Sequence, residues 1–236
     1  MRQRRFWRGA ALVTGELLVT MVAFTGAVAA LVFAIRPSAR RYKPLDLDVF
    51  TRLQPFTNET NNRLMKAFTF LGTHRFLVPA NLFLIAYFLF IRKHTWFGIR
   101  VAAVALSSLL LMIVFKKIFH RQRPLTPLLQ PARGLSFPSG HAMMSVSFYG
   151  LLMYIAAHTI KQPVLKWCFI LVLAWLVRTI GFSRVYLRVH YASDVLAGYI
   201  TGILWLVVSL DVLNRLEAFN KEKSHPATDG SLMAIL

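Results

Sequence analysis

The stretch FPSGHAMMSVSFYGLLMYIAAHTI, residues 137–160, places a proline, a glycine and an ionisable histidine at the start of a long apolar run. The run has about the 20 residues that a helix needs to cross the hydrocarbon core of a bilayer. Pro138 restricts the residue before it to extended backbone, Ser139 is a favourable N-cap, and Gly140 lets a bound group approach the main chain. Because the first amides of this helix are unpaired and carry the positive end of its dipole, the stretch predicts an anion receptor.

The composition is typical of a membrane protein. Of the 236 residues, 56% are hydrophobic and 13% are aromatic, and the mean hydropathy is +0.54. Soluble domains usually contain roughly 45–50% apolar residues. We expect an all-α fold in which residues 1–236 form a single membrane domain, an integral bundle of six transmembrane helices. The predicted spans are about 9–35, 74–91, 97–116, 141–160, 163–183 and 191–213.

The segment between the first two spans is mixed in charge and contains three prolines. It is predicted to lie outside the membrane as one or two short amphipathic helices at the interface, one of them around Asn61–Leu71. The first span is interpreted as retained, because its apolar run is much longer than the roughly 7–15 residues of a signal-peptide core.

Six spans put both termini on one side of the membrane. Lysines and arginines are nearly balanced between the two faces, but four arginines precede the first span. Since the first segment often dominates topology, we expect cytoplasmic termini. The protein is then a multi-pass protein of the inner (cytoplasmic) membrane, and the ends of the spans near residues 116, 141, 190 and 194 face the periplasm or the outside.

The charge of the chain is strongly positive, +19 from 28 Lys and Arg against 9 Asp and Glu. These cations gather at the ends of apolar segments instead of forming one stripe or groove, which argues against nucleic-acid binding. Cationic flanks that meet anionic headgroups explain them better. The expected partner is a membrane lipid, and the sequence predicts no particular oligomeric state.

Polar residues gather where four of the predicted span ends meet. Lys117, Arg121 and Arg188 at this level are interpreted as helix-end cations that extend into the headgroups. The remaining members form the candidate site: Lys116, Arg123, Ser139, Gly140, His141, Arg184, His190 and Asp194.

Within this set, Asp194 lies one helical turn after His190 and on the same face. An acid inside a membrane segment needs a partner. A hydrogen bond from the imidazole to the carboxylate fixes the tautomer and turns the other ring nitrogen outward, which prepares His190 as a nucleophile or a base. His141 is then free to donate a proton to a leaving oxygen.

Three fixed cations, Lys116, Arg123 and Arg184, suit a phosphate. The two histidines and the aspartate are also a set that binds metals. The surrounding positive charge would repel a divalent ion, so the sequence favours chemistry without a metal. Gly198 and Gly202 on the last span are spaced for close helix packing.

Three blocks of the sequence resemble the three-part signature of the type-2 phosphatidic-acid phosphatases, a superfamily that includes the vanadium haloperoxidases. The blocks are KKIFHRQRP at 116–124, PSGH at 138–141 and SRVYLRVHYASD at 183–194. The resemblance implies that His190 attacks phosphorus to form a phosphohistidine, that Asp194 orients it, and that His141 acts first as acid and then as base. It also implies that no metal or organic cofactor takes part and that the phosphoryl oxygens are held by Lys116, Arg123, Ser139, Gly140 and Arg184.

The function implied is that of a metal-independent membrane hydrolase acting on a lipid phosphate or diphosphate. Undecaprenyl diphosphate, a cell-wall lipid carrier, and two intermediates of phospholipid metabolism, phosphatidylglycerophosphate and phosphatidate, are all compatible with it. A lipid phosphotransferase would use the same intermediate. A vanadate-dependent haloperoxidase is disfavoured by the six apolar spans. A transporter is disfavoured because the polar cluster stays at one end of the spans and does not continue toward the midplane.

Overall fold

The computed structural model describes residues 15, 18–28, 44–129 and 134–224. Within these ranges every regular element is helical. The first part contains α1 (Leu18–Val28), α2 (44–53), a 3₁₀ turn (Gln54–Phe56) and α3 (Glu59–Phe70). The long helices follow: α4 (His74–Ala86, continued by a π-helical turn, Tyr87–Ile91), α5 (Thr95–Phe119), α6 (Gly140–Thr159), α7 (Pro163–Tyr186) and α8 (Ala192–Ser224).

Five stretches of the described chain are long and apolar enough to cross a membrane. They are Glu59–Ile91, which a turn at 71–73 divides into α3 and α4, and then Thr95–Phe119, Gly140–Thr159, Pro163–Tyr186 and Ala192–Lys221. Most of the predicted first span, 9–35, falls outside the described residues, and the part that is described forms the shorter apolar helix α1. The total of six membrane spans, which includes this first one, therefore stays a prediction.

Helix ends follow from local chemistry. The side chain of Asn58 accepts the amide of Asn61 at 2.8 Å and so caps the start of α3. Pro163 occupies the first turn of α7, where its missing N–H costs nothing. His120 ends α5 in the left-handed region at φ 44°.

Helix α6 lies at the centre of the bundle and packs against α5, α7 and α8. Its contact with α8 depends on Gly198 and Gly202. A Cβ at these positions would come within 2.7 Å of the Ser139 carbonyl oxygen and 3.1 Å of the Met143 carbonyl oxygen. The predicted close packing is confirmed, and it brings the first turn of α8 against the start of α6.

A buried ion pair joins the start of α5 to the end of α8. Arg100 donates to Glu217 at 2.5 Å and to Asn214 at 2.7 Å. Because breaking a buried pair leaves an uncompensated charge, this contact holds the two helices in register.

The outer faces of the long helices carry many exposed apolar side chains. In water, such a continuous surface would favour aggregation, whereas lipid solvates it. Examples lie on four helices: Val78, Leu82, Leu106, Trp167, Trp175, Leu196, Ile200 and Val207.

Candidate active site

The turn after α7 positions His190. The backbone amides of Val189 and His190 both donate to the carbonyl oxygen of Arg184, at 3.1 and 3.3 Å, so the chain folds back on the helix end. This places the His190 Nδ1 atom 3.6 Å from the Asp194 Oδ2 atom. The predicted pair on one helical face is therefore brought together, and both side chains are buried.

The Asp194 carboxylate is held from several directions. Arg121 Nη1 donates to its Oδ1 atom at 2.7 Å. The Tyr191 amide donates to Oδ2 at 2.9 Å, and the Ser136 hydroxyl donates to the same oxygen. In addition, the Ser139 amide donates to the Asp194 carbonyl oxygen at 3.0 Å and ties the start of α6 to α8. A carboxylate fixed in this way orients the imidazole beside it.

Burial lowers the pKa of His190 from 6.5 to about 4, and the positive charges of Arg123 and Arg184 act in the same direction. The negative charge of the nearby Asp194 carboxylate opposes them. The ring is therefore neutral at neutral pH. With its Nδ1–H directed to the carboxylate, its Nε2 atom is unprotonated and carries a lone pair, which is the form that a nucleophile needs.

Arg123 lies against the other side of the His190 ring. Its Nη1 atom is 3.4 Å from Nε2 and donates to the Val189 carbonyl oxygen at 2.8 Å. Burial lowers the pKa of Arg123, but a guanidinium remains charged in a protein. Lys116 donates to the Leu135 carbonyl oxygen at 2.6 Å, and buried Arg184 donates to the Thr69 hydroxyl at 2.6 Å.

Three buried polar atoms of the predicted site have no hydrogen-bond partner among the residues that the structure describes. They are the Ser139 hydroxyl, the His141 Nε2 atom and the Arg184 Nε atom. An unsatisfied buried donor or acceptor costs about 1–3 kcal/mol. Their presence in one neighbourhood indicates a site that is completed when an anion or water binds.

A pocket of about 460 Å³ opens beside these groups. Its polar end is lined by five of the predicted site residues: Lys116, Arg123, Gly140, His141 and His190. Asp194, Ser139 and Arg184 are buried and do not line it. Gly140 has little room for a side chain, since a Cβ there would come within 2.6 Å of the Met112 Sδ atom.

Beyond its polar end the pocket continues as an apolar groove between α4 and α5. His74 at the start of α4 and Asn81 further along are the polar side chains of the α4 wall. The apolar walls consist of Leu77, Val78, Leu82 and Ile85 on α4 and Ala102, Ala105, Leu106, Leu109 and Met112 on α5.

The interpretation of Arg121 as a solvated helix-end cation is wrong. Its side chain is 30% exposed, pairs with Asp194 and with Asp46 at 2.7 Å each, and stacks over the Tyr191 ring at 4.2 Å. Ser136 and Asp46 were also missed. The one sequence signal for Asp46 was the scarcity of acidic residues. The chain has 9 Asp and Glu against 28 Lys and Arg, so each carboxylate is expected to pair with a cation.

Among the residues that the structure describes, no three His, Cys, Asp or Glu side chains come together as a group able to hold a metal ion. The charged side chains that line the pocket, Lys116 and Arg123, are cationic, and they suit an anionic ligand.

Comparison with known proteins agrees with this geometry. The PAP2 superfamily model matches residues 96–217, a range that contains all three sequence blocks. Phosphatidylglycerophosphatase B of Bacillus subtilis is 36% identical over 156 residues, which cover 64% of this chain and 72% of the relative. Lipid A 1-phosphatase of Rhizobium etli is 31% identical over 118 residues, 46% of this chain and 47% of the relative.

Solved structures share the fold. The crystal structure of a transmembrane PAP2-type phosphatidylglycerolphosphate phosphatase from Bacillus subtilis superposes with a TM-score of 0.67 at 28% identity, over 86% of this chain and 96% of the other. The crystal structure of LpxE from Aquifex aeolicus superposes with a TM-score of 0.54 at 24% identity, over 71% of this chain and 95% of LpxE.

The class defined by fold and site is thus a helical membrane phosphatase with a histidine–aspartate pair. The chain belongs to the PAP2 superfamily, as its three sequence blocks predicted.

Proposed function

We propose that this protein is a metal-independent phosphatase that removes phosphate from a membrane lipid phosphate or diphosphate through a phosphohistidine at His190. The observation that carries the proposal is the buried His190 ring, which lies 3.6 Å from Asp194 and lines a pocket that also contains Lys116 and Arg123 and continues into an apolar groove. The names of the two curated relatives, a phosphatidylglycerophosphatase and a lipid A phosphatase, support a lipid substrate.

In the first step, His190 Nε2 attacks phosphorus as the bond from phosphorus to the leaving oxygen breaks. Protonated His141 gives its proton to that oxygen, so the lipid departs as an alcohol, or as a lipid monophosphate if the substrate is a diphosphate. Asp194 stabilises the positive charge that develops on the imidazole.

In the second step, water attacks the phosphohistidine, His141 takes the proton, and the phosphorus–nitrogen bond breaks to release inorganic phosphate. Throughout both steps the cations and the amides at the start of α6 neutralise the phosphoryl oxygens. The oxygens are held by Lys116, Arg123, Ser139, Gly140 and Arg184.

The groove between α4 and α5 is proposed to hold the lipid tail. From Ala102 to Lys116 it follows α5 for about 21 Å, at 1.5 Å per residue, which exceeds the roughly 15 Å depth of one leaflet. The rim residues Leu82 and Leu106 are exposed, so a lipid can enter sideways from the bilayer. This arrangement suits phosphatidylglycerophosphate, phosphatidate and undecaprenyl diphosphate alike.

Leu109→Trp is expected to fill the groove two turns from Lys116. We expect kcat/KM for a long-chain lipid phosphate to fall by roughly tenfold or more, since overpacking costs about 1–3 kcal/mol. Hydrolysis of a water-soluble phosphate ester, which does not use the groove, is expected to stay within about twofold.

Leu110→Trp is the matched control for this variant. The two leucines are adjacent and equally exposed, at 41% and 42%, but only Leu109 lines the groove. Equal losses in the two variants would show that the tail is bound elsewhere.

We further infer that the chain crosses the inner membrane six times, with cytoplasmic termini and the site at the periplasmic or outer face. The arginines before the first span support this orientation. The amphipathic helices α2 and α3 are proposed to lie in the interface on the same side as the site. Exposed Leu45, Leu47, Phe56 and Leu64 on this segment provide their apolar contact with lipid.

The proposed function is tested by phosphate release from the detergent-purified protein in excess chelator. The panel contains phosphatidylglycerophosphate, phosphatidate, undecaprenyl diphosphate and a soluble phosphate ester. We expect release from at least one lipid, undiminished by the chelator because fixed cations replace a metal, and inhibited by vanadate. Activity that is lost with chelator and restored by magnesium would contradict the metal-independent mechanism.

A further inference from the structure

Asp46 is a buried carboxylate on α2. It is distant in sequence from the three sequence blocks, but its side chain contacts Arg121 and Ser193, which belong to two of them. Its side chain is 4% exposed. Its Oδ1 atom accepts the backbone amide of Ser193 at 3.0 Å, and its Oδ2 atom accepts the Ser193 hydroxyl at 2.6 Å and Arg121 Nη2 at 2.7 Å. All three donors come from the loop after α5 or the start of α8.

Arg121 connects this carboxylate to the proposed catalytic pair. One terminal nitrogen of its guanidinium is bound to Asp46, and the other donates to Asp194 Oδ1 and to the Ser193 hydroxyl, at 2.7 Å each. A continuous chain of contacts therefore runs from Asp46 through Arg121 and Asp194 to His190.

The electrostatics of this chain depend on both carboxylates. Arg121 lies between Asp46 and Asp194, so its charge is shared between them. Without Asp46, the guanidinium would lose one of its two carboxylate partners, and the part-buried Ser193 amide would lose its acceptor. Both changes would let Asp194 move relative to the His190 ring, 3.6 Å away.

We propose that Asp46 is a positioning residue for phosphoryl transfer, because it fixes Arg121 and the first turn of α8 so that Asp194 holds His190 in the attacking orientation. This inference rests on the proposed function of the His190–Asp194 pair. It assigns to α2 a part in catalysis as well as in contact with the membrane surface.

The test is Asp46→Asn in the full-length, detergent-purified protein. A displacement of a reacting group by about 1 Å can lower the reaction rate on the order of 100-fold. We therefore expect kcat per folded protein to fall by about 10- to 100-fold. KM should stay within about threefold, since the residues that line the pocket are unchanged. Folded protein is counted from the monodisperse peak in size-exclusion chromatography, so a loss of folded protein does not enter kcat.

Asp48→Asn is the matched control on the same helix. Asp48 is exposed and pairs only with exposed Arg52 among the described residues, at 2.8 Å, so this variant is expected to keep full activity. If Asp46→Asn folds too poorly to measure, Ser193→Ala removes a hydroxyl that contacts both Asp46 and Arg121, and a smaller loss of kcat is expected from it.

A double-mutant cycle separates positioning from a general effect on stability. If Asp46 acts through Arg121, Asp46→Asn combined with Arg121→Gln should lose no more kcat than Arg121→Gln alone. Additive losses, or a kcat within twofold of wild type in Asp46→Asn, would overturn the inference.

Failure of the inference is distinguishable from failure of the proposed function. If wild type is active, His190→Gln is inactive and Asp46→Asn is fully active, only the role of Asp46 is wrong. If wild type releases no phosphate from any substrate of the panel, the proposed function itself fails, and the inference fails with it.

Discussion

His190→Gln is expected to abolish phosphate release, with a loss in kcat of about 10⁴-fold or more, as is usual when a catalytic nucleophile is removed. Glutamine keeps a polar side chain of similar reach but has no nitrogen that can bond to phosphorus. The neutral imidazole lies with Nε2 toward Arg123 and Nδ1 toward Asp194, so the replacement removes the attacking atom and leaves the cationic pocket in place. Steady-state phosphate release from a lipid phosphate measures the loss.

The matched control is His158→Gln on the same protein. His158 is exposed at the far end of α6, where its Nδ1 atom contacts the Tyr154 carbonyl oxygen at 2.8 Å, and this variant should retain wild-type turnover. Binding of vanadate by His190→Gln would show that the pocket is intact. Turnover by His190→Gln within tenfold of wild type would rule out the assigned nucleophile.

His141→Gln is expected to lower kcat for a lipid phosphate by about 10²- to 10⁴-fold, the usual contribution of a general acid or base. His141 lines the pocket and its buried Nε2 atom has no partner among the described residues, which fits a group that exchanges protons with substrate and water. The defect should depend on the leaving group. A nitrophenyl phosphate needs little protonation to depart, so its first step should be affected less than that of an alkyl phosphate.

This dependence is measured as the first-turnover burst for the two kinds of substrate. In His141→Gln we expect a burst of nitrophenol followed by slow turnover, because the base for the second step is missing. A uniform loss in both steps for both substrates would indicate that His141 only shapes the pocket.

Much of the fold could be predicted from the sequence because apolar runs bounded by charges, proline and glycine define membrane helices. α6 and α7 begin within a residue of the predicted starts, 141 and 163. The segment before α4 was harder, because its helices α2 and α3 are short and their apolar residues are partly exposed. Their placement in the interface, like the first span, stays a prediction.

Part of the candidate site was predictable for the same reason. His190 and Asp194 are four residues apart, so local geometry alone brings them together. The alternation of spans then puts Lys116, Arg123 and His141 at the same end of the bundle. The catalytic roles of these residues remain predictions.

The contacts around Asp194 could not be predicted, because they join segments far apart in the chain. Arg121 and Asp46 are 75 residues apart, and Ser136 is 58 residues from Asp194 in a segment without regular structure. No periodicity relates such positions. Only the packed bundle shows that Arg121 lies between two carboxylates.

The most direct test of this account is to isolate the covalent intermediate. The protein is mixed with a lipid carrying ³²P in its terminal phosphate, quenched in alkali within the first turnover, digested and analysed by tandem mass spectrometry. We predict an acid-labile phosphohistidine at position 190 in wild type, undetectable in His190→Gln and, when the label is carried by a nitrophenyl phosphate that departs without an acid, more abundant in His141→Gln than in wild type. A label on another residue, or phosphate release with no labelled protein in either active form, would contradict it.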